Sequence, residues 1–450
     1  MKLLMIAYYF PPDSSSGSFR PLAFARHLHE MGLEVCVLTA REEDFLAEQS
    51  KDYTLLQEIG DETKIFRSRV FRPKEVLLTV GKRLFSRGKQ EETGGTQVSP
   101  KMKKSLPTKV SVSQRLQDFL MELLTTPDSQ IGWMPSAVRA GRKIINTDKI
   151  DLIYATGGPW TCLLISAILK KFTKRPLVMD FRDPWVANPS RRSNNKFLRS
   201  LENVMERKVL AIADHIIANT AELKQDFLER YQFLTPNKVT TIPNGFEEYV
   251  ESQAAGTNTQ LTFIHAGTLY FSRNPRNLLQ AILNVIERKV IPADDIRFVF
   301  LGGIDRSIQD PELESLMQHP LLQNVMRILP RVPYHEAIQQ QNESDILLLI
   351  QPDFPLQIPR KLYEYMAFQK PIFGITDKHG ATAKIIRKND LGEVAENQVG
   401  AIEAVLESLY HQWKQGVLKP LSTQTCDQFR NSHLAHILHK VFVTCLEKQT

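Results

Sequence analysis

Cysteine is scarce: four residues in 450, Cys36, Cys162, Cys426 and Cys445, far apart and without metal-knuckle spacing. This argues against a disulfide framework and for reduced thiols in the cytosol. No run of about eighteen apolar residues occurs, so no membrane-spanning helix is predicted. The opening MKLLMIAYYFPPD lacks a small-residue cleavage site and reads as a buried first strand, not as a secretory signal. HExxH, serine-elbow and DxD motifs are missing, so nothing argues for a metal or a resident cofactor. Basic residues do not interleave with aromatics in any nucleic-acid-binding module, which sets that partner class aside.

What is present is an ordinary soluble composition, 42% hydrophobic and 24% charged, with a formal net charge of +7. The length calls for two or three domains. Residues 2–10 read as a buried strand, PPDSSSGS as a loop, FRPLAFARHLHEM as a helix stopped by Gly32, and LEVCVLTA as the next strand. That order implies a parallel sheet with right-handed crossovers. The pattern lapses over 83–112, a basic, breaker-rich surface insertion. It resumes with DLIYATGGPW, an apolar helix through Lys171, PLVMDFRDPW, a helix over 194–212, HIIANT and KVTTIPNG. Residues 246–260 carry no core pattern and read as a linker. LTFIHAGTLY, RFVFLGG, VMRILP, DILLLI, PIFGIT and GEVAE then mark a second run of strands. The predicted fold is α/β: two Rossmann-like parallel-sheet domains facing a cleft, residues 1–245 and 261–425, with a last helix at 426–450 free to belong to either.

Ligands of open parallel sheets sit beyond the carboxyl ends of strands. The candidates lie there. Gly17 and Arg20 follow the first strand, where a small residue and a helix start suit an anion, or simply make a strand-to-helix turn. The spacing is not GxGxxG. TGGP at 156–159 allows close backbone approach or caps a helix. Asp180, Arg182 and Asp183 crowd the end of a buried strand. A carboxylate there could act as base or orient an acceptor hydroxyl, or Arg182 could pair with an aspartate in a structural network. Asn244 and Gly245 read first as a turn. Arg273 and Arg276 follow the second domain's first strand and offer guanidinium forks to phosphate oxygens, or a solvated helix start. His265 reads as a packed core residue. In PLQIPRKLYEYMAFQKPIFG, Pro359 opens a short helix with Lys361 in its first turn and Glu364 one turn on, a seat for a diphosphate and a ribose.

These landmarks, in this order, resemble the retaining glycosyltransferases of the GT-B fold, family 4 type, over nearly the whole chain. The resemblance implies a donor nucleotide sugar on the second domain and a hydroxyl acceptor on the first. Glu364 would hold the donor ribose, and Arg273 and Lys361 would face the diphosphate as catalytic groups, with Arg276 beside them. Gly17 would close over the phosphates, Asp183 would be the acidic group of the acceptor domain, and Arg20, Asp180 and Arg182 would lie on the acceptor side. The last helix would cross back to the first domain.

The chain departs from the family at one place. Many members carry a second glutamate eight positions before the ribose glutamate, and here that position is Leu356. Donor-sugar recognition then falls to Asp353 or to backbone N–H groups near 355–358. The insertion, with Lys82, Arg83, Arg87, Lys89, Lys101, Lys103, Lys104 and Lys109, is either a solvated loop or a contact for anionic lipid headgroups. The second option suits a lipid-linked acceptor and a cytoplasmic enzyme at the inner membrane face. A sugar-nucleotide epimerase and a catalytically silent scaffold are the alternative functions.

Overall fold

The computed structural model describes residues 1–45, 51–60, 63–72, 112–189, 193, 195–251, 258–270 and 272–448. The basic residues of the insertion lie outside them.

Among the described residues thirteen strands form two sheets, and every registered pair is parallel. The first domain has β1 (Lys2–Ile6), β2 (Glu34–Ala40), β3 (Lys64–Ser68), β4 (Leu152–Gly157), β5 (Leu177–Phe181), β6 (His215–Ala218) and β7 (Val239–Thr241), in the order β3-β2-β1-β4-β5-β6-β7. The second has β8 (Leu261–Ala266), β9 (Ile296–Leu301), β10 (Met326–Leu329), β11 (Ile346–Gln351), β12 (Ile372–Thr376) and β13 (Gly392–Ala395), in the order β10-β9-β8-β11-β12-β13. The two-domain α/β architecture read from the sequence is therefore the one observed. In each sheet the first strand of the domain lies between its first and third successors, β1 between β2 and β4 and β8 between β9 and β11. Strand order reverses there, and a crevice opens beyond the carboxyl ends.

The strand sequences explain the burial. All of β4, β5, β11 and β12 is buried, because helices cover both faces of a parallel sheet. Side chains alternate across the first sheet: Leu4, Ile6, Ile153 and Met179 face one core, and Leu3, Met5, Leu152 and Val178 the other.

The differences from the sequence reading have local causes. β1 ends at Ile6, and Ala7, Tyr8 and Phe10 remain buried in the loop that follows. The helix expected at 194 starts at Lys196, because the Asn195 side chain accepts from the Phe197 and Leu198 amides and caps it. Gly32 stops the first helix as expected, with φ +83 and its amide donating to His29 O at 2.8 Å. β3 was not anticipated; KIFRS is a half-buried edge strand with a weak pattern. The last helix is not continuous from 426. Arg430 is extended (φ −66, ψ 137), and the helix proper is Asn431–Glu447.

That final helix packs in the first domain. Leu434, Leu438 and Phe442 join Leu22, Phe24 and Leu28, and the Phe442 ring meets Tyr154 at 5.7 Å. The chain thus crosses between domains twice, and the crossings are strapped together: Phe246 N donates to Phe429 O and Asn431 N to Phe246 O at 3.2 and 2.8 Å. Gly245 is required at this point, since a Cβ would stand 2.4 Å from Phe429 O. Among the described residues no helix is long and apolar enough to cross a membrane.

Leu438 is fully buried between the final helix and the first. Leu438→Ala is expected to cost about 2–5 kcal/mol, read as a lower urea midpoint for the first domain's transition.

Candidate functional site

The second domain's face is built at the ends of β8 and β11. β8 turns at Gly267, and Gly302, after β9, lies so close that a Cβ there would be 2.9 Å from the Gly267 carbonyl carbon. Both have positive φ, so the glycines are conformational as well as steric requirements. A Cβ on Gly267 would sit 3.2 Å from Lys361 Cε, which places the lysine directly over this turn. The helix Arg360–Met366 carries Lys361 and is fixed by Tyr365, whose hydroxyl accepts from Ala266 N at 3.1 Å and donates to Leu348 O at 3.2 Å.

Glu364 receives Arg360 at 2.8 Å and Lys361 at 3.5 Å. Burial pushes its pKa up, but the Arg360 and Lys361 charges outweigh it and hold the carboxyl below its usual range. His265 beneath is buried, with Nδ1 on Leu348 O at 3.0 Å. Burial, then the Lys361 and Arg273 charges, push its pKa down to about 3, so it is a neutral core residue. Arg273 stands over the Tyr270 ring at 4.8 Å, and its charge adds to that of Lys361 in lowering the His265 pKa. Arg276 is engaged elsewhere, by Asp310 at 3.5 Å and Glu312 at 3.1 Å. Asp353 is exposed, at φ 67 in the loop after β11.

The first domain's face follows β1, β4 and β5. Gly17 packs on Tyr9, where a Cβ would lie 2.7 Å from the ring. Arg182 donates to the carbonyls of Gly17, Gly157 and Gly158 and so clamps the loops after β1 and β4. Its partners are carbonyls, not the neighbouring aspartates, and the TGGP turn supplies two of them. Asp180 is paired instead with Arg20, bidentately at 2.9 and 3.0 Å, and accepts from Tyr154 and Thr156 at 2.7 and 3.1 Å. Both partners are buried, behind the loops that face the cleft. Asp183 is half-buried and accepts from Gln357 Nε2, on the other domain, at 2.7 Å.

The two faces meet at further points. Thr220 Oγ1 donates to Leu356 O at 2.8 Å, the Arg360 guanidinium lies 3.6 Å from the Phe19 ring centroid, and Lys384 pairs with Glu222 at 3.1 Å. The structure thus gathers Gly17, Asp183, Arg273, Lys361 and Glu364 around the two crevices, and sets Arg20, Asp180 and Arg182 as their supports. Thr220, Gln357 and Arg360 were missed by the sequence reading. A cue existed for Gln357, which adjoins the departure at Leu356. Among the described residues no group of three His, Cys, Asp or Glu side chains could hold a metal ion.

Residues 114–248 match the family model described as Glycosyltransferase Family 4. Among solved structures, sucrose-phosphate synthase from Thermosynechococcus elongatus aligns over 100% of both chains at 12% identity and a TM-score of 0.63. HepE from Anabaena, in complex with UDP, aligns over 99% of this chain and 100% of its own at 13% identity and 0.64. The UDP-GlcNAc 2-epimerase from Methanocaldococcus jannaschii aligns over 99% and 100% at 11% and 0.52. No curated protein matches the sequence.

Two expected outcomes follow from the buried groups. Asp180→Ala leaves Arg20 charged and unpaired and should cost about 3–5 kcal/mol in urea unfolding. Below about pH 6.5 the unfolded chain protonates His265 while the native state stays neutral down to about pH 3. Stability should therefore fall as pH falls through that window, by up to about 1.4 kcal/mol per pH unit, and His265→Asn should flatten the slope.

Proposed function

Taking the chain as a glycosyltransferase of the GT-B fold and family 4 type, we propose that it transfers a hexosyl group from a nucleoside-diphosphate sugar to an acceptor hydroxyl. The observation that carries this reading is Lys361, set over the Gly267 turn and paired with ionised Glu364, on a helix whose preceding loop reaches Asp183 of the first domain through Gln357. Complexes of HepE with UDP and with UDP-glucose support a nucleotide sugar as the ligand class.

Each residue's part follows from its charge and place. The anomeric C–O bond breaks with its electron pair going to the diphosphate, and Arg273 and Lys361 stabilise that charge without reorganising. Lys361 holds Glu364 loosely, at 3.5 Å, so it can turn to the diphosphate while Glu364 stays on Arg360 and accepts from the ribose hydroxyls. Gly17, with no side chain, lets the donor approach the first domain's backbone. The acceptor oxygen forms the new bond, and its proton passes to Asp183. Arg276 and Asp353 border the donor loops. Arg20, Asp180 and Arg182 hold the acceptor-side loops in register. Closure excludes water, which would otherwise take the sugar. Retention of configuration is what the family resemblance implies.

The acceptor belongs, in this reading, to a cell-surface polysaccharide or glycolipid, and a lipid-linked acceptor would bring the basic insertion to an anionic inner leaflet. Co-sedimentation with anionic liposomes should fall when 83–112 is deleted. Unchanged binding would remove that part of the reading. The epimerase reading would need a pair of acid–base groups around the sugar, and His265 is buried and neutral.

Activity is measured as nucleoside diphosphate released from UDP-, GDP- and ADP-linked hexoses. Arg273→Ala and Lys361→Ala are each expected to lower kcat/KM about 10²–10³-fold, and Glu364→Ala to raise KM for the donor. Turnover that survives all three changes would show the site to be elsewhere. No turnover and no nucleotide binding by the wild type would leave the scaffold.

A further inference from the structure

The loop from β11 to the helix Arg360–Met366 is anchored on the opposite domain at two consecutive residues. Leu356, standing where the family pattern has a glutamate, contributes only its carbonyl, which accepts from Thr220 Oγ1 at 2.8 Å. That hydroxyl also accepts from Leu223 N at 3.0 Å, so it caps the helix Ala221–Arg230 and holds the loop together. Gln357 is the next residue. Its carbonyl accepts from Thr382 Oγ1 at 3.1 Å and its amide N donates to Phe354 O at 3.3 Å, so its backbone is fixed within its own domain. Its side chain then crosses the cleft to Asp183 Oδ1 at 2.7 Å. Among the described residues this is the only hydrogen bond to the Asp183 carboxylate.

We propose that Gln357 is a positioning residue: from the second domain it orients the Asp183 carboxylate of the first, so that the proton acceptor is aligned only when the domains are closed. This rests on the role given to Asp183 above. A carboxylate on a short side chain with no hydrogen-bond partner among the described residues of its own domain samples several rotamers. One hydrogen bond from a neutral amide to a charged oxygen is strong enough to select among them. Oδ1 is occupied and Oδ2 is left for the acceptor hydroxyl. Closure would thereby be coupled to chemistry, and an open enzyme holding only a nucleotide sugar would not present an aligned base to water. The loop that in many relatives reads the donor sugar through a carboxylate would here set the geometry of the acceptor side instead.

The test uses the full chain and the nucleoside diphosphate released from UDP-, GDP- or ADP-linked hexoses. Gln357→Leu keeps the size and removes the donor. It is expected to lower kcat roughly ten- to hundredfold, with donor KM within about twofold and UDP affinity by calorimetry unchanged. The double variant Asp183→Asn with Gln357→Glu restores a cross-domain hydrogen bond with its direction reversed, and moves the carboxylate to the other domain. Turnover no better than Asp183→Asn alone supports the proposal, since the bond is back but the oriented carboxylate is not. Turnover recovering to near the wild-type level would make the pair a simple strap and overturn it. So would an unchanged kcat in Gln357→Leu with nucleotide binding intact. A wild type that binds no nucleotide would overturn the underlying reading, and this inference with it.

Discussion

The buried pairing of Arg20 with Asp180 ties together three parts of the first domain. Arg20 lies in the first turn of the first helix, three residues after Gly17. Asp180 is the penultimate residue of β5, three residues before Asp183. The same guanidinium also donates to the carbonyls of Ile242 and Pro243, where the chain leaves the first domain. One bidentate ion pair therefore sets the register of a glycine loop, a candidate acid–base group and the exit to the linker. Its burial makes it sensitive, because loss of either partner strands a charge that cannot be rehydrated cheaply.

Around that pair the first domain's loops are arranged in series. Arg182 collects the carbonyls of Gly17, Gly157 and Gly158, and Tyr154 and Thr156 also donate to Asp180, at Oδ2. The second domain supplies a cluster of opposite character, with the cations of Arg360 and Lys361 around the Glu364 carboxylate. A dianionic leaving group suits the second surface, and a hydroxyl that must give up a proton suits the first. The two crossings of the chain, strapped at Phe246 and Asn431, with Glu247 taking Arg26, His27 and Asn431, form the natural hinge between them.

Much of this was legible in the sequence because it depends on local pattern. Apolar runs bounded by glycine and proline mark buried parallel strands, and the residues just beyond them mark the crevices. Gly17, Arg273, Lys361 and Glu364 were singled out that way as candidates. The partners of the charged residues were not legible. MDFRDPW does not disclose that Asp180 faces Arg20 from 160 positions away, or that Arg182 spends its donors on carbonyls. Gln357 was hidden for the same reason: its partner belongs to the other domain, and only the folded chain brings them together. The break at Arg430 was missed because helical periodicity continues through it, and β3 because an edge strand needs no continuous apolar run.

The central claim is that a nucleoside diphosphate binds where β8 and β11 end, with the first domain closing over it. Hydrogen exchange of the full chain with and without saturating UDP tests this directly. The account predicts added protection in peptides covering 267–276 and 359–366, and weaker protection across the cleft at 17–30. Protection confined to other segments, or none at all at concentrations that saturate binding, would contradict it.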